Sequence, residues 1–340
     1  MRNHDLVNGK ASDTVSVVIC NFNKVDLLLK CLQSISHQTY KNIEIILVDN
    51  NSLDGSVEKV SDIYPSVKII KSKINLGFAQ GNNQGVGIAS GKFIFLLNND
   101  TELFENAIET LVKTYIPKAL LSACQIATYD RTIQRTGAGV DIFGYPFQET
   151  ELQKTRIFYA DGAALFMKKK DFIDIGGFDS RLFMFQEDID LSWRARLMGY
   201  SILPCWDAKL FHVFGGTAKA SIGFDKSYNT SLFRRYHNEK NIIRNILKNY
   251  SAISLCGIIP TLLFFHFFEM LFLLVTGRLR VIKCYISAYL WNISNLKDTI
   301  IRRRIVQSKR TVPDYQIFKN MYFTYSKFLT LIRLGVPNFR

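Results

Sequence analysis

The 340-residue chain has no Cys-x-x-Cys pair among its six cysteines, so neither a zinc knuckle nor a dithiol redox motif is supported. We expect the cysteines to be buried, reduced thiols. The chain also has no internal repeat and no low-complexity stretch. Residues 1–14 are polar, so no secretory signal peptide is expected and the amino-terminal body should stay in the cytoplasm.

Acidic residues are scarce in the last third of the chain. Residues 231–340 hold 18 of the 43 Lys and Arg but only 4 of the 29 Asp and Glu, so this segment carries the whole net charge of +14. Its basic residues are interleaved with apolar and aromatic ones, which favours the anionic surface of a membrane over nucleic acid. We therefore expect a neutral body joined to a basic, membrane-associating region, and no nucleic-acid partner.

The run 252–276 is apolar and long enough to span a bilayer as a helix. It contains Pro260, His266 and Glu269, and an acid near the bilayer centre costs about 2.5–3.5 kcal/mol on insertion scales. Basic residues flank both of its ends. This pattern favours helices that lie in the membrane interface, or a re-entrant hairpin; a true span and a soluble core helix are the alternatives.

Short β-branched runs alternate with stretches of helical periodicity through residue 97. We predict strands at 15–20, 43–48, 67–70 and 92–97, and helices at 26–37, 56–63 and 78–89. Such alternation is typical of parallel strands with right-handed helical crossovers, as in a doubly wound, Rossmann-like α/β layer. Further along, residues 120–215 are loop-rich and residues 231–250 are helical and basic.

Polar turns follow three of the predicted strands, at residues 21–23, 49–52 and 98–102. Ligands of a parallel sheet bind beyond the carboxyl ends of its strands. Ordinary turn chemistry also places Asn, Asp and Ser at such positions. Three polar turns on one rim nevertheless predict a nucleotide-binding crevice.

Asp100 is the candidate metal ligand on this rim. A nucleotide diphosphate leaving group is neutralised by a hard divalent cation, Mg²⁺ or Mn²⁺, which prefers carboxylate and phosphate oxygens. The usual motif is Asp-x-Asp, whereas Asn98 occupies the first position here, so Glu102 or a distant side chain would complete the site. His212 follows a short apolar strand and is either such a ligand or a core histidine.

Two of these segments also have a purely structural interpretation. One residue among 99–101 can cap a helix that begins near Leu103. Residues 161–162 precede the apolar run 163–167 and either face the donor sugar or simply form a turn.

The stretch EDIDLSWR at 187–194 places three acids within four positions at the start of a predicted helix. Asp190 and Arg194 are four residues apart, so we expect them to pair. Glu187 and Asp188 lie near the helix start, where the helix dipole favours anions. An attacking hydroxyl has a high pKa and needs a positioned carboxylate to take its proton, and we expect Asp188 to be that base. The alternative is a solvated acidic helix start.

Taken together, six stretches resemble family 2 glycosyltransferases of the GT-A fold, and among them the rhamnosyltransferase-like branch. The stretches are VSVVICNFN at 15–23, VDNNS at 48–52 with DG at 54–55, NLGFA at 75–79 with GNN at 81–83, FLLNNDT at 95–101, GGFD at 176–179 and EDIDLSWR at 187–194. Each motif alone is weak, but six in this order are specific. The resemblance covers residues 14–250.

This resemblance implies a nucleotide-sugar donor, a divalent metal and transfer with inversion. It assigns the metal to Asp100, with His212 as the further candidate, and the base to Asp188, with Glu187 beside it. The expected donor-binding residues are Cys20, Asn21, Asn23, Asp49, Asn50, Gly77, Phe78, Asn82, Asn99, Asp161 and Gly162.

The sequence therefore predicts a polar lead-in at 1–13, a GT-A domain with a mixed α/β sheet at 14–250 and a helical membrane-associating region at 251–340. We expect transfer of a hexose or deoxyhexose to a lipid-linked or other glycan acceptor at the cytoplasmic face of the cell membrane. The alternative is a non-catalytic nucleotide-sugar-binding subunit of a membrane complex. The sequence leaves the oligomeric state, the donor and the acceptor open.

Overall fold

The computed structural model describes residues 13–127, 134–135, 137–147, 157–213, 229–335 and 338–339. Strands and helices alternate through the first hundred residues, and each lies within one residue of its predicted bounds. The elements of this part are β1 (Val15–Asn21), α1 (Val25–Ser36), β2 (Ile43–Asp49), α2 (Ser56–Ile63), β3 (Lys68–Lys71), α3 (Gly77–Ile88), β4 (Phe93–Asn98), β5 (Thr101–Leu103) and α4 (Ala107–Thr114).

The middle of the chain adds strands to the same sheet and supplies the acidic helix α6. Its elements are β6 (Ala119–Ala127), β7 (Gln134–Arg135), β8 (Gly139–Val140), β9 (Pro146–Phe147), β10 (Ala164–Lys168), α5 (Lys169–Ile175), α6 (Glu187–Leu197) and β11 (Ser201–His212). A 3-10 turn, Ser180–Leu182, lies between α5 and α6.

The described strands form a nine-stranded mixed sheet in the order β3-β2-β1-β4-β10-β6-β11-β5, with β7 beside β6. β1 pairs in parallel with both β2 and β4, so Asn21 lies opposite Asp49, and Cys20 lies opposite Asn98. The carboxyl ends of these three strands therefore meet at one edge. β10 is antiparallel to its neighbours, and β5 is antiparallel to β11, which makes the sheet mixed as predicted.

Successive strand residues face opposite sides of the sheet, and each side has its own core. Val17 and Ile19 of β1 pack in one core with α1 and α4, whereas Val18 packs in the other with α3 and α6. Because both faces are covered, the central strands carry continuous apolar runs, which explains why sequence periodicity identifies them.

The helix predicted to begin near Leu103 is absent from the described residues at that position, and this prediction was wrong. Thr101–Leu103 is instead the strand β5, whose residues pair with Leu210, Phe211 and His212 of β11. The following helix begins at Ala107. The partner strand lies more than a hundred residues further along the chain, so local sequence does not reveal it.

The carboxyl-terminal part is mainly helical. Its elements are β12 (Asn229–Thr230), α7 (Leu232–Asn249), α8 (Ala252–Val275), α9 (Leu279–Ser294), α10 (Leu296–Ser308), α11 (Asp314–Phe318), α12 (Ser326–Leu334) and β13 (Asn338–Phe339). α7 packs against α6, α9 and α10. The predicted helix at 231–250 is therefore confirmed, and it links the sheet domain to the last helices; the predicted domain boundary at 250 stays a prediction.

Within the described chain, α8 is the one helix that is long and apolar enough to cross a membrane. Its buried side includes His266, whose ring contacts the hydroxyl groups of Tyr145 (2.9 Å) and Tyr289 (2.6 Å). Glu269 pairs with Lys327 at 3.0 Å. His266 and Glu269 of this helix therefore face the protein. All six cysteines are free, as expected, but Cys256 lies on the exposed side of α8 and was wrongly predicted to be buried.

Two basic side chains of α7 are internal and form a network with two buried acids. Arg244 donates to Asp179 from Nε at 2.8 Å, and Lys248 Nζ lies 2.6 Å from Asp179 and 3.0 Å from Asp190. The predicted pair of Asp190 and Arg194 is present at 2.9 Å. Burial alone would raise the pKa of Asp179, but Lys248 and Arg244 hold it well below its usual range.

We predict that Asp179→Asn lowers the free energy of unfolding by about 3 kcal/mol, because it removes a buried partner from two buried cations. Asp298→Asn is the matched control, since Asp298 binds the same Arg244 but its side chain is 31% exposed. That change should lower the free energy of unfolding by less than about 1 kcal/mol. Urea denaturation of the full chain measures both free energies of unfolding. Equal decreases for the two variants would contradict the role of Asp179 as the buried partner of both cations.

Candidate active site

The three predicted polar turns converge at the carboxyl edge of the sheet. Asn21 Nδ2 donates to Asp49 Oδ1 at 3.2 Å and to Ser52 Oγ at 3.1 Å. Asn99 Nδ2 donates to Asn21 Oδ1 at 2.6 Å and to the carbonyl of Asn23 at 3.4 Å. Side chains following β1, β2 and β4 are thus joined by hydrogen bonds into one rigid rim.

Cys20 and Asn50 lie on this rim beside the start of α3. Asn50 Nδ2 donates to Cys20 Sγ at 3.1 Å and to the carbonyl of Gly77 at 3.1 Å. A Cβ at Gly81 would lie 2.5 Å from Cys20 Sγ, so the close approach of α3 to β1 requires glycine there. Burial, with Asp49 and Glu187 nearby, raises the pKa of the Cys20 thiol to about 12, and the thiol is therefore neutral.

The start of α3 also contacts the segment that precedes α6. Gly77 has a φ of 77°, and a Cβ there would overlap the carbonyl oxygen and the ring of Phe183. The amide of Ala79 donates to that carbonyl at 3.1 Å. Asn82 Nδ2 donates to the carbonyl of Phe78 at 2.9 Å, which fixes the first turn of α3.

Asp188 lies where α6, α3 and the turn before β10 meet. Its two carboxylate oxygens accept hydrogen bonds from the amide of Gly162 at 3.2 Å and from its neighbour Ile189 at 2.8 Å. A Cβ on Gly162 would lie 3.3 Å from the ring of Phe78 and 3.4 Å from Cβ of Asp188. The Asp161–Gly162 turn therefore packs directly against the predicted base. Asp188 itself is partly exposed, as a carboxylate at the wall of a crevice would be.

Glu187 and Asp190 are buried and Asp188 is only partly exposed, so the alternative of a solvated helix start is wrong. Burial, and then the charge of Asp161, raise the pKa of Asp188 to about 7. Burial, and then the charge of Asp188, raise the pKa of Glu187 well above its usual value. Asp190 differs because Arg194 and Lys248 more than offset its burial and lower its pKa. The cations thus balance the negative charge of Asp190, whereas the pKa values of Glu187 and Asp188 stay raised.

Asp100 and His212 come together across the β5–β11 pairing. Asp100 Oδ1 lies 3.2 Å from Nε2 of His212, and Nδ1 of the ring lies 2.8 Å from Oε1 of Gln125. When the ring is neutral and Nδ1 donates to Gln125, Nε2 turns a lone pair toward the carboxylate. Two acceptors facing each other favour a cation between them.

Asp100 and His212 therefore offer one carboxylate oxygen and one imidazole nitrogen to a divalent metal. Within the described part of the chain, no group of three or more His, Cys, Asp or Glu side chains could hold a metal by itself. His212 is the distant side chain that the sequence left open, and it comes from β11, far from Asp100 along the chain.

Five of the thirteen buried polar side-chain atoms that lack a hydrogen-bond partner among the described residues belong to this crevice. They are Asn50 Oδ1, Asn82 Oδ1, Asp100 Oδ1, Gln125 Nε2 and Glu187 Oε2. Leaving a buried polar atom unpaired costs about 1–3 kcal/mol. Such atoms in one crevice are therefore available to hydrogen-bond a polar ligand.

The described contacts group the predicted residues into three clusters around the crevice. The rim residues and the start of α3 form one, Asp161, Gly162 and Asp188 the second, and Asp100 and His212 the third. Gln125 and Phe183 were missed by the sequence reasoning. A buried glutamine in the apolar run of β6 was the available signal for Gln125, whereas Phe183 contributes through its backbone carbonyl and left no signal.

Residues 16–176 match the family model described as Glycosyl transferase family 2. One similar curated protein is the Campylobacter jejuni GalNAc(5)-diNAcBac-PP-undecaprenol beta-1,3-glucosyltransferase, 36% identical over 29% of this chain and 33% of that protein. Another is the Mycobacterium tuberculosis N-acetylglucosaminyl-diphospho-decaprenol L-rhamnosyltransferase, 23% identical over 59% of this chain and 76% of that protein. The alignments span about a third of the length of the strongest curated relatives.

Two solved structures share the fold. A mannosyltransferase from Pyrobaculum calidifontis, in complex with GDP-Man and Mn²⁺, aligns with a TM-score of 0.53 and 14% identity over 94% of this chain and 87% of its own. GalNAc-T7 with UDP, GalNAc and Mn²⁺ aligns with a TM-score of 0.55 and 19% identity over 74% of this chain and 50% of its own. The predicted GT-A fold is confirmed.

We predict that Glu187→Gln increases the free energy of unfolding at pH 8 by about 1–3 kcal/mol and leaves it unchanged at pH 4. The raised pKa of Glu187 means that the folded chain binds a proton that the unfolded chain releases. The native protein therefore loses stability as pH rises from the unfolded pKa toward the folded one, whereas the glutamine variant does not. Denaturant unfolding at both pH values measures the difference.

Glu109→Gln is the control for this prediction. Glu109 is exposed and pairs with Lys113, so its replacement should give no gain in stability at pH 8. If the Glu187 variant is no more stable than the native chain at pH 8, then Glu187 is not an uncompensated buried acid.

Proposed function

Because residues 16–176 place this chain in glycosyl transferase family 2, we propose that it is an inverting glycosyltransferase. The transferred group is a hexose or a deoxyhexose such as rhamnose, the donor is a nucleotide-diphosphate sugar, and the acceptor is a hydroxyl of a lipid-linked or cell-surface glycan. The observation that carries this proposal is the position of Asp188. Its carboxylate is held by two main-chain amides at the crevice between the polar rim and α6.

The rim at the ends of β1 and β2 is the proposed site of the nucleoside. Asp49 and Asn50 present acceptor oxygens there, and the bonded set of Asn21, Asn23 and Asn99 fixes their positions. The unpaired oxygens of Asn50 and Asn82 offer further hydrogen bonds to a donor. Gly77, Phe78 and the Asp161–Gly162 turn then border the sugar between the nucleoside and Asp188.

Asp188 acts as the general base in this proposal. Its carboxylate takes the proton of the acceptor hydroxyl while the hydroxyl oxygen attacks the anomeric carbon. A bond forms between that oxygen and the anomeric carbon, and the bond from the carbon to the diphosphate breaks, so the nucleoside diphosphate leaves with the electron pair. A single displacement inverts the anomeric centre. Burial, and then the charge of Asp161, raise the pKa of this base.

Asp100 and His212 would hold Mg²⁺ or Mn²⁺. Bound there, the metal would neutralise charge on the leaving diphosphate. Asp100 Oδ1 faces His212 Nε2 at 3.2 Å without a hydrogen-bond donor among the described residues, which supports this assignment. The first acid of the usual motif is replaced by Asn98, so the diphosphate itself would supply more of the coordination.

The acceptor is proposed to be lipid-linked, at the cytoplasmic surface of the cell membrane. The names of two relatives contain undecaprenol or decaprenol joined through a diphosphate to a sugar. One side of α8 is apolar and exposed, and we call it the lipid face; it consists of Leu263, Phe264, Phe267, Phe268, Leu271 and Phe272. Exposed basic residues on α9 and α10, among them Arg280, Lys283 and Lys297, suit anionic headgroups.

Lying in the interface fits α8 better than spanning the membrane. Its opposite side, with His266 and Glu269, is bonded to the rest of the protein. The helix therefore presents one side to lipid and the other to protein, as an interfacial helix does.

A non-catalytic, nucleotide-sugar-binding subunit is the second candidate. Asn98 favours it, because one acid of the usual metal motif is missing. The two candidates differ in one measurable respect, which is turnover of a donor.

We predict that one family of nucleotide sugars, in the presence of Mn²⁺ or Mg²⁺, stabilises the full chain in detergent and is turned over. Asp188→Asn should lower the rate of transfer at least 1,000-fold while the dissociation constant of the donor changes less than about threefold, because the base contacts the acceptor rather than the nucleotide. For the native chain, kcat/KM should fall about tenfold per pH unit below pH 7, since protonation of Asp188 removes the base. Transfer assays and thermal shift measure these effects.

Asp100→Asn is the companion variant, and it should abolish the metal-dependent part of the stabilisation. Binding without turnover in the native chain would favour the non-catalytic subunit. Loss of donor binding in Asp188→Asn would show that this residue has a structural role instead.

We predict that replacing Phe267 and Phe268 together with serine weakens binding to vesicles of 30% phosphatidylglycerol in phosphatidylcholine at least tenfold. Each buried phenylalanine side chain contributes roughly 1.5–3 kcal/mol, so the loss is measurable by vesicle co-sedimentation. Ile63→Ser is the control, because Ile63 is equally exposed, at 56%, but lies on α2. Unchanged binding of the double variant would exclude the lipid face as the membrane contact.

A further inference from the structure

The segment between the 3-10 turn and α6 has an unusual backbone. Phe183, Phe185 and Gln186 have φ values of 65°, 69° and 67°, in the left-handed region that residues with a Cβ rarely adopt. Each such residue costs on the order of 1 kcal/mol. Three of them within four positions persist only when the surroundings hold them there.

α7 carries a repeated pattern that faces this segment. A basic residue followed by asparagine occurs every four residues, which places all six side chains along one side of the helix. The set consists of Lys240, Asn241, Arg244, Asn245, Lys248 and Asn249, and all six are buried. The pattern lies outside residues 16–176 and none of the motifs in the sequence analysis includes it.

Asn241 is at the centre of the contact. Its Nδ2 donates to the carbonyl oxygens of Leu182 at 3.0 Å, Met184 at 3.0 Å and Phe185 at 2.7 Å. The two hydrogens of one amide are thus shared among three carbonyls, which converge because the left-handed residues turn them to the same side. Asn245 adds a bond to the carbonyl of Gln186 at 3.2 Å.

The cations and Asn249 hold the two ends of the same segment. Arg244 and Lys248 bind Asp179, just before the 3-10 turn. Lys248 and Asn249 bind Asp190, one turn into α6, each at 3.0 Å. Residues 179–190 are therefore fixed at both ends and along the middle by one side of a single helix.

This segment carries the groups on which the proposed reaction depends. The carbonyl of Phe183 accepts the amide of Ala79 at the start of α3, beside the nucleotide rim. Glu187 and Asp188 follow directly after Gln186. A shift of the segment would therefore move the base relative to the donor.

We propose that the polar side of α7 positions residues 179–190, the segment that carries Asp188. Asn241 is the principal positioning residue. The inference rests on the proposed function in that Asp188 is the base. In this proposal α7 supplies no group that touches substrate. It contributes to catalysis because it determines the position of Asp188.

The test compares Asn241→Ala with Asn292→Ala in the full chain. Asn292 is a matched control because it is a buried asparagine of α9 whose Nδ2 donates to two main-chain carbonyls, those of Lys240 at 3.0 Å and Ala288 at 2.9 Å. Two readouts are used: amide hydrogen exchange of residues 182–190, and kcat and donor KM in the transfer assay.

Asn241→Ala should speed hydrogen exchange of residues 182–190 at least tenfold, lower kcat 10- to 100-fold and change donor KM less than threefold. Asn292→Ala should change neither exchange in this segment nor kcat, even where it lowers thermal stability as much. If Asn241→Ala does not fold, Asn245→Ala, which removes a single bond, is expected to give the same pattern with smaller changes.

Unchanged exchange at 182–190 in the asparagine variants, or equal effects of Asn292→Ala, would overturn the proposal. So would faster exchange with an unaltered kcat, because the segment would then be held without serving the reaction. If the native chain turns over no donor, the proposed function and the catalytic part of this inference fail together. Faster exchange would in that case show that α7 holds the segment for a reason other than catalysis.

Discussion

Repulsion between carboxylates at the start of α6 is the constraint that the surrounding structure must compensate. In addition to burial, the charges of Asp188, Asp161 and Asp190 raise the pKa of Glu187, and the charge of Asp161 raises the pKa of Asp188. Only Asp190 is neutralised by buried cations, from α6 and α7. An acid that was fully paired could not accept a proton near neutral pH, whereas an acid among like charges in a buried site can. The unequal distribution of cations therefore separates one ion-paired acid from two acids with raised pKa values within a single helical turn.

The burial of these cations also changes what the net charge indicates about the protein surface. Counting residues places a charge of +14 on the last 110 residues and suggests an outward-facing basic surface. Two of these basic side chains, Arg244 and Lys248, are instead buried against Asp179 and Asp190, and Lys327 is drawn inward by Glu239 and Glu269. Acids from the sheet domain thus bind cations from the helical part. The basic charge left for a membrane is accordingly smaller than the composition indicates, and it resides on α9 and α10.

The sequence predicts most of the sheet and much less of the site. β1 to β4 follow from local patterns because each is a continuous apolar run covered on both faces, and the polar turn after each run marks the crevice. The contact between Asp100 and His212 could not be predicted from local sequence, since it depends on the pairing of β5 with β11. β5 itself was mistaken for a helix start for the same reason. Phe183 and Asn241 act through main-chain carbonyls, and such contacts depend on backbone angles that residue types do not reveal.

α8 illustrates a further limit of composition. Its hydropathy averages over two sides that have opposite surroundings: exposed Phe and Leu on one, and His266 with Glu269 bonded to protein on the other. A membrane-spanning position would have to separate Glu269 from Lys327 and Tyr325, and it would place an acid in hydrocarbon at a cost of several kcal/mol. Keeping those bonds leaves only the aromatic side free for lipid. The polar contacts that look like defects in a transmembrane helix are thus what fixes α8 to the rest of the protein, with its apolar side turned outward.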